Sequence, residues 1–539
     1  MKRPWIGAAI LAITLLNFFQ FPGHTWLQSD TQIYMPILEH IWDPSVLQQD
    51  LIVQHPHVAF TLYDETAIAL RKVTGASFQH VLQAEQFVFR ALGIWGVYLI
   101  AAALGLPEIL ALLVTAVFSL GATITGPAVL VFEYEPVPRG FAIALVFLAI
   151  GLVAHERYLG AGIAASASFL MHAPTVAPFW AIYLMLAISP TAPVIRRRRL
   201  GALWALSIAV LLLLVLSRYG TTRGDAQTFF ARLDPRQEEL QRLRASYNWI
   251  SLWWQDRLTH YLILYAATAA ACWRLWKDAP HNLRFFVIGL PLLGILSMPT
   301  SYLLLEKLHW VLVPQTQPLR MLLFVTAFAM ILGAAAACKA VGARRYLEAM
   351  GWLVLVYLVP ANRLVEWPAW NRVGVVMVLA VLATAAIWLA QRKSRWSLPA
   401  VAVAILAPFF LIPTWGGMEN YPAWENSALD ELSAWARTTT RKDAVFLFPD
   451  AGQELFPGVF RVEAERAVYV DWKMGGQVNF FKDLGEEWWS RWQKTMAHPF
   501  KPEDLASDSV ADYAVVLRKD RLAGKPPVFE NTRFVVYKL

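Results

Sequence analysis

Long apolar runs separated by short polar stretches fill the first three quarters of the chain. Runs of about 17–25 residues recur from residue 5 onward, and each is long enough to cross roughly 30 Å of hydrocarbon. The first run follows a basic start but has no small-residue cleavage site, which indicates a retained span rather than a signal peptide. The pattern predicts a polytopic α-helical membrane protein with about thirteen transmembrane helices, beginning near residues 5, 85, 107, 139, 160, 174, 201, 258, 283, 320, 350, 371 and 397.

The pattern changes near residue 415, where membrane-length apolar runs stop. Short β-type runs and amphipathic helical stretches follow, which predicts a small C-terminal α/β domain. We therefore divide the chain into a membrane domain, residues 1–414, with a long first outer loop at 22–84, and an extracytoplasmic domain, residues 415–539. The predicted strands are AVFLFP, RAVYVDW, DYAVVLRK and RFVVYKL, and the predicted helices are SALDELSAWARTTT and DLGEEWWSRWQKTM.

The distribution of charge predicts the orientation. The chain carries a net charge of +8, and residues 415–539 hold 16 Lys and Arg against 19 Asp and Glu, so the excess of basic residues lies in the membrane part. Its basic clusters fall in alternate short loops, as the positive-inside rule requires when the N-terminus is cytoplasmic and the C-terminal domain is periplasmic or extracellular. This placement suits a bacterial inner membrane and gives no sign of nucleic-acid binding. Cys272 and Cys338 fall near cytoplasmic ends of spans, where a structural disulfide is not expected.

Two of the predicted outer loops carry acidic residues close to the membrane surface. Asp30 follows the first span, and Glu133 and Glu135 lie in EYEPVPR between two apolar runs. If the three carboxylates converge, their repulsion requires a cation, either Mg²⁺ or Mn²⁺ or a neighbouring arginine such as Arg90 or Arg139. Solvated loop carboxylates, or ion pairs with those arginines at the interface, are the alternative interpretation.

A basic residue follows in a later outer loop. Arg320 lies at the outer end of the tenth predicted span, within VPQTQPLRMLLF, where a guanidinium can bind a lipid phosphate bidentately. His172 lies at the top of the fifth span and is assigned to the same lipid-phosphate site. The alternatives are an arginine that anchors a helix end and a structural histidine before Ala173-Pro174. The sequence contains neither a glycine-rich phosphate loop nor a nucleophile elbow.

The organisation resembles the GT-C superfamily of membrane glycosyltransferases, and its layout is similar to that of the single-subunit oligosaccharyltransferases. The resemblance rests on the early outer acidic residue Asp30, the acidic pair Glu133-Tyr134-Glu135, a late outer loop and an outward C-terminal domain. It implies a sugar donor linked to polyprenyl phosphate, catalytic or metal-binding roles for these carboxylates, and a lipid-phosphate role for Arg320. The acceptor, a glycan or a lipid, would lie at the outer face beneath the C-terminal domain.

The stretch RVEAERAVYVDWKMGGQVNFF is the candidate acceptor region of that domain. Under the resemblance, Trp472 would stack on a sugar, with Arg466, Asp471 and Lys473 beside it. A core strand followed by its loop explains the same residues.

Two features depart from the oligosaccharyltransferase pattern. The acceptor-peptide motif WWDYG is absent, which argues against a peptide acceptor, and the acidic pair is Glu-x-Glu rather than a pair containing Asp, so a metal-independent reaction stays open. The alternative function is a non-catalytic GT-C-like protein of cell-envelope assembly, or a transporter. A transporter would be expected to place charges deep within its spans, whereas these lie at one face.

Overall fold

The computed structural model describes residues 4–56, 61–218, 230–360, 370–423, 425–496 and 511–539. In this part of the chain, seven helices are long and apolar enough to cross a membrane, and shorter apolar helices accompany them. The fold is therefore that of a polytopic helical membrane protein, as predicted. The helices of the bundle are α1 (Pro4–Leu15), α5 (Phe78–Ala103), α6 (Glu108–Phe118), α7 (Pro138–Ala154), α8 (Tyr158–Ile188), α9 (Pro193–Leu216), α11 (Gln255–Arg274), α12 (His281–Ser301), α14 (Leu322–Gly342), α15 (Tyr346–Leu358), α16 (Trp370–Gln391) and α17 (Ser397–Thr414).

Helix α8 turns back on itself at His172, whose backbone is extended (φ −159°, ψ 90°). The Tyr158 hydroxyl accepts a hydrogen bond from Asn282, and the Tyr183 hydroxyl donates to the carbonyl of Arg199, which itself bonds Asn282. A straight helix would separate the two tyrosines by about 38 Å, so the limbs before and after His172 must be antiparallel. The two short spans predicted near residues 160 and 174 are these limbs.

Helix α14 lies at the centre of the bundle, with almost every side chain buried. Around it the other helices pack closely, and the contact between α5 and α7 requires a glycine. A Cβ atom added to Gly96 would lie 2.4 Å from the backbone nitrogen of Leu148, closer than any side chain permits.

The two ends of the bundle differ in charge. One end carries most of the basic loops, where Arg199 bonds Asn282, Lys339 pairs with Asp278 at 2.9 Å and Arg274 pairs with Glu348 at 2.8 Å. The opposite end carries the C-terminal domain and is called the domain side below. Four of the connections on the domain side contain regular elements among the described residues. These elements are α2 (Thr31–Trp42), α3 (Leu51–Gln54), α4 (Tyr63–Thr74), β1 (Thr123–Ile124), β2 (Val129–Leu130), α10 (Pro235–Arg244) and α13 (Leu312–Thr316).

The C-terminal domain contains a five-stranded mixed sheet with helices packed on it. Its elements are α18 (Ser427–Thr439), β3 (Val445–Leu447), α19 (Phe456–Ala464), β4 (Ala467–Val468), α20 (Lys482–Thr495), β5 (Tyr513–Leu517), β6 (Phe529–Glu530) and β7 (Phe534–Lys538), in the sheet order β4-β3-β5-β7-β6. Strand β3 is parallel to β4 and β5, while β7 is antiparallel to β5 and β6. The predicted strands and helices are all present, and β6 and α19 were not predicted.

The C-terminal domain and the first loop share one hydrophobic core, which joins Ile33 and Leu38 of α2 to Val459 of α19 and Val468 of β4. Inside this core, Arg461 pairs with Asp50 of the loop at 2.7 Å and with Asp471 of its own domain at 2.9 Å. These groups are nearly inaccessible to water, and the ion pair with Asp50 connects the C-terminal domain to the first loop.

Candidate functional site

Glu135 holds the turn that presents Asp30. Its carboxylate accepts hydrogen bonds from the backbone nitrogen of Ser29 at 2.9 Å and from the hydroxyl and backbone nitrogen of Thr31 at 2.6 and 3.1 Å. Thr31 is the first residue of α2 and Ser29 directly precedes its N-cap, Asp30, so Glu135 accepts from backbone N–H groups that have no helical partner. Burial raises the pKa of Glu135, and its side chain is almost fully enclosed. The prediction of a catalytic or metal-binding Glu135 therefore does not agree with its contacts, which are structural.

Arg139 joins the other two carboxylates. Its Nε and Nη2 atoms bond the carboxylate of Glu133 at 2.8 and 3.0 Å, and its Nη1 atom lies 2.5 Å from Oδ2 of Asp30. Asp30 and Glu133 are thus brought together on one guanidinium. Arg90, the other arginine considered from the sequence, instead bonds the main-chain carbonyls of Gly23 and Glu133.

Asp30 also contacts the C-terminal domain, since Lys473 donates to its Oδ1 atom at 2.8 Å. Burial alone would raise the pKa of this carboxyl, but the charges of Lys473 and Arg139 and their hydrogen bonds outweigh it, so the pKa lies well below its ordinary value. Nearby, burial and the charge of Asp30 raise the pKa of Tyr34 to about 12. Asp30 is therefore a stable carboxylate, a quarter exposed, at the edge of a cavity.

The three carboxylates do not fit a divalent cation. A Mg²⁺ or Mn²⁺ site needs several oxygen atoms directed at one point, whereas Asp30 and Glu133 are directed at Arg139 and Glu135 at the turn of α2. Among the described residues, no group of three or more His, Cys, Asp and Glu side chains is placed to hold a metal ion. The cation that relieves the carboxylate repulsion in this structure is an arginine.

Two adjoining cavities meet at Arg139, His172 and Arg320. The apolar cavity, about 340 Å³, extends into the bundle between α7, α8, α12 and α14, and is lined there by Ile143, Pro178, Ala181, Leu293, Leu323 and Phe324. The polar cavity, about 720 Å³, lies on the domain side beneath the C-terminal domain and is lined by Asp30, Tyr34, Arg244, Tyr247, Gln477 and Lys473, among others. Their junction lies where the membrane-length helices end.

Arg320 lies at this junction, and its charge has no partner among the described residues. It lies in a 3-10 turn, Pro318–Met321, that follows Gln317 in the left-handed conformation (φ 49°). Its guanidinium has no hydrogen-bond or ion-pair partner among the described residues, and its Nε atom is inaccessible to solvent. An unpaired cation that is largely removed from water is costly, so this position favours an anionic ligand.

His172 faces the same junction from the turn of α8. Its Nδ1 atom lies 2.9 Å from the Thr175 hydroxyl and 3.3 Å from the Thr175 backbone nitrogen, which can only donate. Nδ1 is therefore the acceptor of the ring, and Nε2 carries the proton of the neutral form. A ring N–H group is thus available at the junction.

The structure does not bring Arg466, Asp471 or Trp472 to the polar cavity. Arg466 donates to the main-chain carbonyls of Arg437 and Thr440 within the C-terminal domain, and Asp471 is enclosed in the ion pair with Arg461. Trp472 packs against Trp488 and Trp492, two of the three tryptophans of α20. The alternative interpretation, a core strand with its loop, describes all three.

Lys473, Arg244 and Tyr247 line the polar cavity. Lys473 belongs to the candidate acceptor stretch named from the sequence, whereas Arg244 and Tyr247 had no assigned role. Arg244 and Tyr247 lie in the third domain-side connection, at the end of α10, where no local pattern distinguishes them from surface residues.

Comparison with known proteins gives a partial family match and distant structural relatives. Residues 427–495 match a domain of unknown function (DUF6798). No curated protein sequence matches the chain. Among solved structures, the chain is similar to ArnT from Cupriavidus metallidurans bound to undecaprenyl phosphate, with 12% identity, a TM-score of 0.48, and coverage of 99% of this chain and 98% of that one.

The chain is also similar to an oligosaccharyltransferase from Archaeoglobus fulgidus tethered to an acceptor peptide, with 11% identity, a TM-score of 0.45, and coverage of 96% of this chain and 69% of that one. A third similar structure is the mycobacterial arabinofuranosyltransferase AftD, with 16% identity, a TM-score of 0.39, and coverage of 84% and 31%. At these identities and TM-scores, no residue role or activity passes from those proteins to this chain.

Proposed function

We propose that the protein is a membrane glycosyltransferase that moves a sugar from a polyprenyl-phosphate-linked donor to a glycan or lipid acceptor on the domain side. The observation that carries the proposal is the guanidinium of Arg320, which lies at the junction of an apolar and a polar cavity and has no partner among the described residues. A polyprenyl phosphate has the matching form, because its hydrocarbon suits the apolar cavity and its anionic head suits the arginine.

The placement of the cavities supports separate donor and acceptor sites. The polyprenyl chain enters the apolar cavity between the helices, and its phosphate binds Arg320, with the Nε2–H group of His172 as a second donor. The sugar then projects into the polar cavity, where Asp30 lies. This arrangement explains why one cavity of the site lies between the membrane-length helices and the other lies outside them, on the domain side.

Transfer then proceeds by displacement at the anomeric carbon. The acceptor oxygen bonds to that carbon while the bond to the phosphate oxygen breaks, and the electron pair leaves with the phosphate. Arg320 stabilises the negative charge that develops there. Asp30, whose pKa is lowered, is a weak base, so it orients the acceptor hydroxyl and takes its proton only once the new bond has made that oxygen acidic.

Glu133 and Glu135 support this carboxylate without contacting the acceptor. Glu133 holds Arg139 against Asp30, and Glu135 fixes the turn on which Asp30 sits. The reaction written here passes through no metal ion, in accord with the contacts of these side chains.

The same proposal places the domain side outside the cytoplasm, in a bacterial inner membrane. The basic loops at the opposite end support this orientation through the positive-inside rule. A periplasmic acceptor of the cell envelope follows from it.

Binding of undecaprenyl phosphate to the full chain in lipid nanodiscs tests the proposal. Arg320→Gln should weaken binding by at least about tenfold, and Arg320→Lys should restore it only partly, because an ammonium lacks the planar fork. Arg257→Gln is the matched control, since Arg257 lies near the start of α11 and contacts Trp254 instead of either cavity. Unchanged binding by Arg320→Gln would show that Arg320 only anchors a helix end.

A further inference from the structure

The polar cavity contains more positive charge than the proposed donor requires. Four cationic side chains line it, Arg139, Arg244, Arg320 and Lys473, whereas Asp30 is its one lining carboxylate among the described residues. Glu133, beneath Arg139, adds a second negative charge. Two positive charges therefore remain, and a donor with a single phosphate charge neutralises one of them, at Arg320.

Arg244 carries the remaining positive charge. It lies at the end of α10, its Nε atom donates to the main-chain carbonyl of Trp472 at 2.9 Å, and its guanidinium stacks on the Trp472 ring at 4.9 Å. These contacts hold the guanidinium group in place but do not neutralise its charge, and Arg244 has no ion-pair partner among the described residues. The Arg244 guanidinium is thus fixed, charged and open to the polar cavity.

We propose that the acceptor carries an anionic group, and that Arg244 binds this group with help from Lys473. The inference rests on the proposed function, since it assigns Arg320 to the donor phosphate. Trp472 acquires a role here as the platform for Arg244, in place of the predicted sugar stacking.

The position of Arg244 favours the acceptor over the donor as the source of this anion. Arg320 lines both cavities, whereas Arg244 lines only the polar one and lies against the C-terminal domain. Lys473 connects the two ends of the acceptor site, because it already contacts Asp30, where the reacting hydroxyl is oriented. A donor diphosphate is the other source of a second negative charge, and the experiment separates the two.

The experiment uses the full chain in nanodiscs, saturated with undecaprenyl phosphate. Isothermal titration compares N-acetylglucosamine 6-phosphate with uncharged N-acetylglucosamine as probes of the acceptor site. We expect the phosphorylated sugar to bind at least about tenfold more tightly. Arg244→Gln should abolish this preference and change the affinity for undecaprenyl phosphate less than about twofold, while Arg244→Lys should retain part of the preference.

Arg242→Gln is the matched control, because Arg242 lies on the same helix but pairs with Glu238 and contacts Trp249. The acceptor assignment is overturned if wild-type protein shows no preference, or if Arg244→Gln keeps it. It is also overturned if Arg244→Gln weakens binding of undecaprenyl diphosphate and leaves the sugar preference intact, since the second anion would then belong to the donor. A failure of the proposed function looks different: undecaprenyl phosphate binding would not depend on Arg320.

Discussion

Replacing Arg461 with methionine is expected to loosen the C-terminal domain from the first loop. Arg461 pairs with Asp50 at 2.7 Å and with Asp471 at 2.9 Å, and all three side chains are buried. Breaking one buried pair costs about 3–5 kcal/mol. In the variant, Asp50 retains hydrogen bonds from two backbone nitrogens and Asp471 retains one, and these bonds compensate part of the loss of the two ion pairs. We therefore expect the contact between the domain and the loop to lose about 4 kcal/mol of stability.

Amide hydrogen exchange measures this cost locally. The backbone nitrogen of Val468 donates to Asp50 across the interface, so its exchange reports the opening of this contact. A loss of about 4 kcal/mol corresponds to exchange roughly a thousandfold faster. Arg437→Met is the matched control, because its pair with Glu465 is largely exposed on the arginine side and should contribute less than about 1 kcal/mol.

The effect should also depend on pH. Burial already raises the pKa of Asp50 in the presence of Arg461, and removing the arginine raises that pKa further. A carboxyl with a raised pKa in the folded state contributes stability at low pH that is lost as pH rises through that pKa. Arg461→Met should therefore be less damaging at pH 5 than at pH 8. Exchange at Val468 that stays within about tenfold of wild type at both pH values would refute the assignment of this ion pair to domain docking.

Four further outcomes are expected. Glu135→Gln places an amide group among the donors of the α2 turn and should lower stability by about 1–3 kcal/mol, measured by thermal unfolding in nanodiscs; no change would show that the turn does not need this carboxylate. Burial, with a smaller contribution from the charge of Asp430, raises the pKa of Glu463 to about 7. Stability of the C-terminal domain should therefore fall as pH rises through about 7, and a Glu463→Gln variant that kept the same slope would contradict this. Chelation of divalent ions should leave undecaprenyl phosphate binding unchanged, because Arg139 and Lys473 already neutralise the carboxylates. A loss of binding that Mg²⁺ restores would contradict the conclusion that this site needs no divalent cation. A reporter active only in the cytoplasm and fused after Leu539 should be silent, and activity would place the domain side inside the cell.

The membrane-length helices and the strands of the C-terminal domain were predictable because their signals are local. An apolar run of sufficient length forms a helix in a bilayer whatever its neighbours are, and the strand at Phe534–Lys538 follows from its run of β-branched and aromatic residues. The paired short limbs of α8 were predictable for the same reason, with the break at His172 just before Ala173-Pro174. The neighbours of Asp30 were also partly predictable, since loops that leave the bundle on one side must share a surface.

What only the tertiary structure decided is which charge meets which. Glu133 and Glu135 are two residues apart and look equivalent in sequence, yet one binds Arg139 and the other the turn of α2. Lys473 contacts Asp30, which is 443 residues away in sequence. Asp471, two residues before Lys473, instead pairs with Arg461 in the core and does not line the site. The interaction energy of two charges depends on their separation in space and on their access to water. The spacing of residues along the chain determines neither of these quantities.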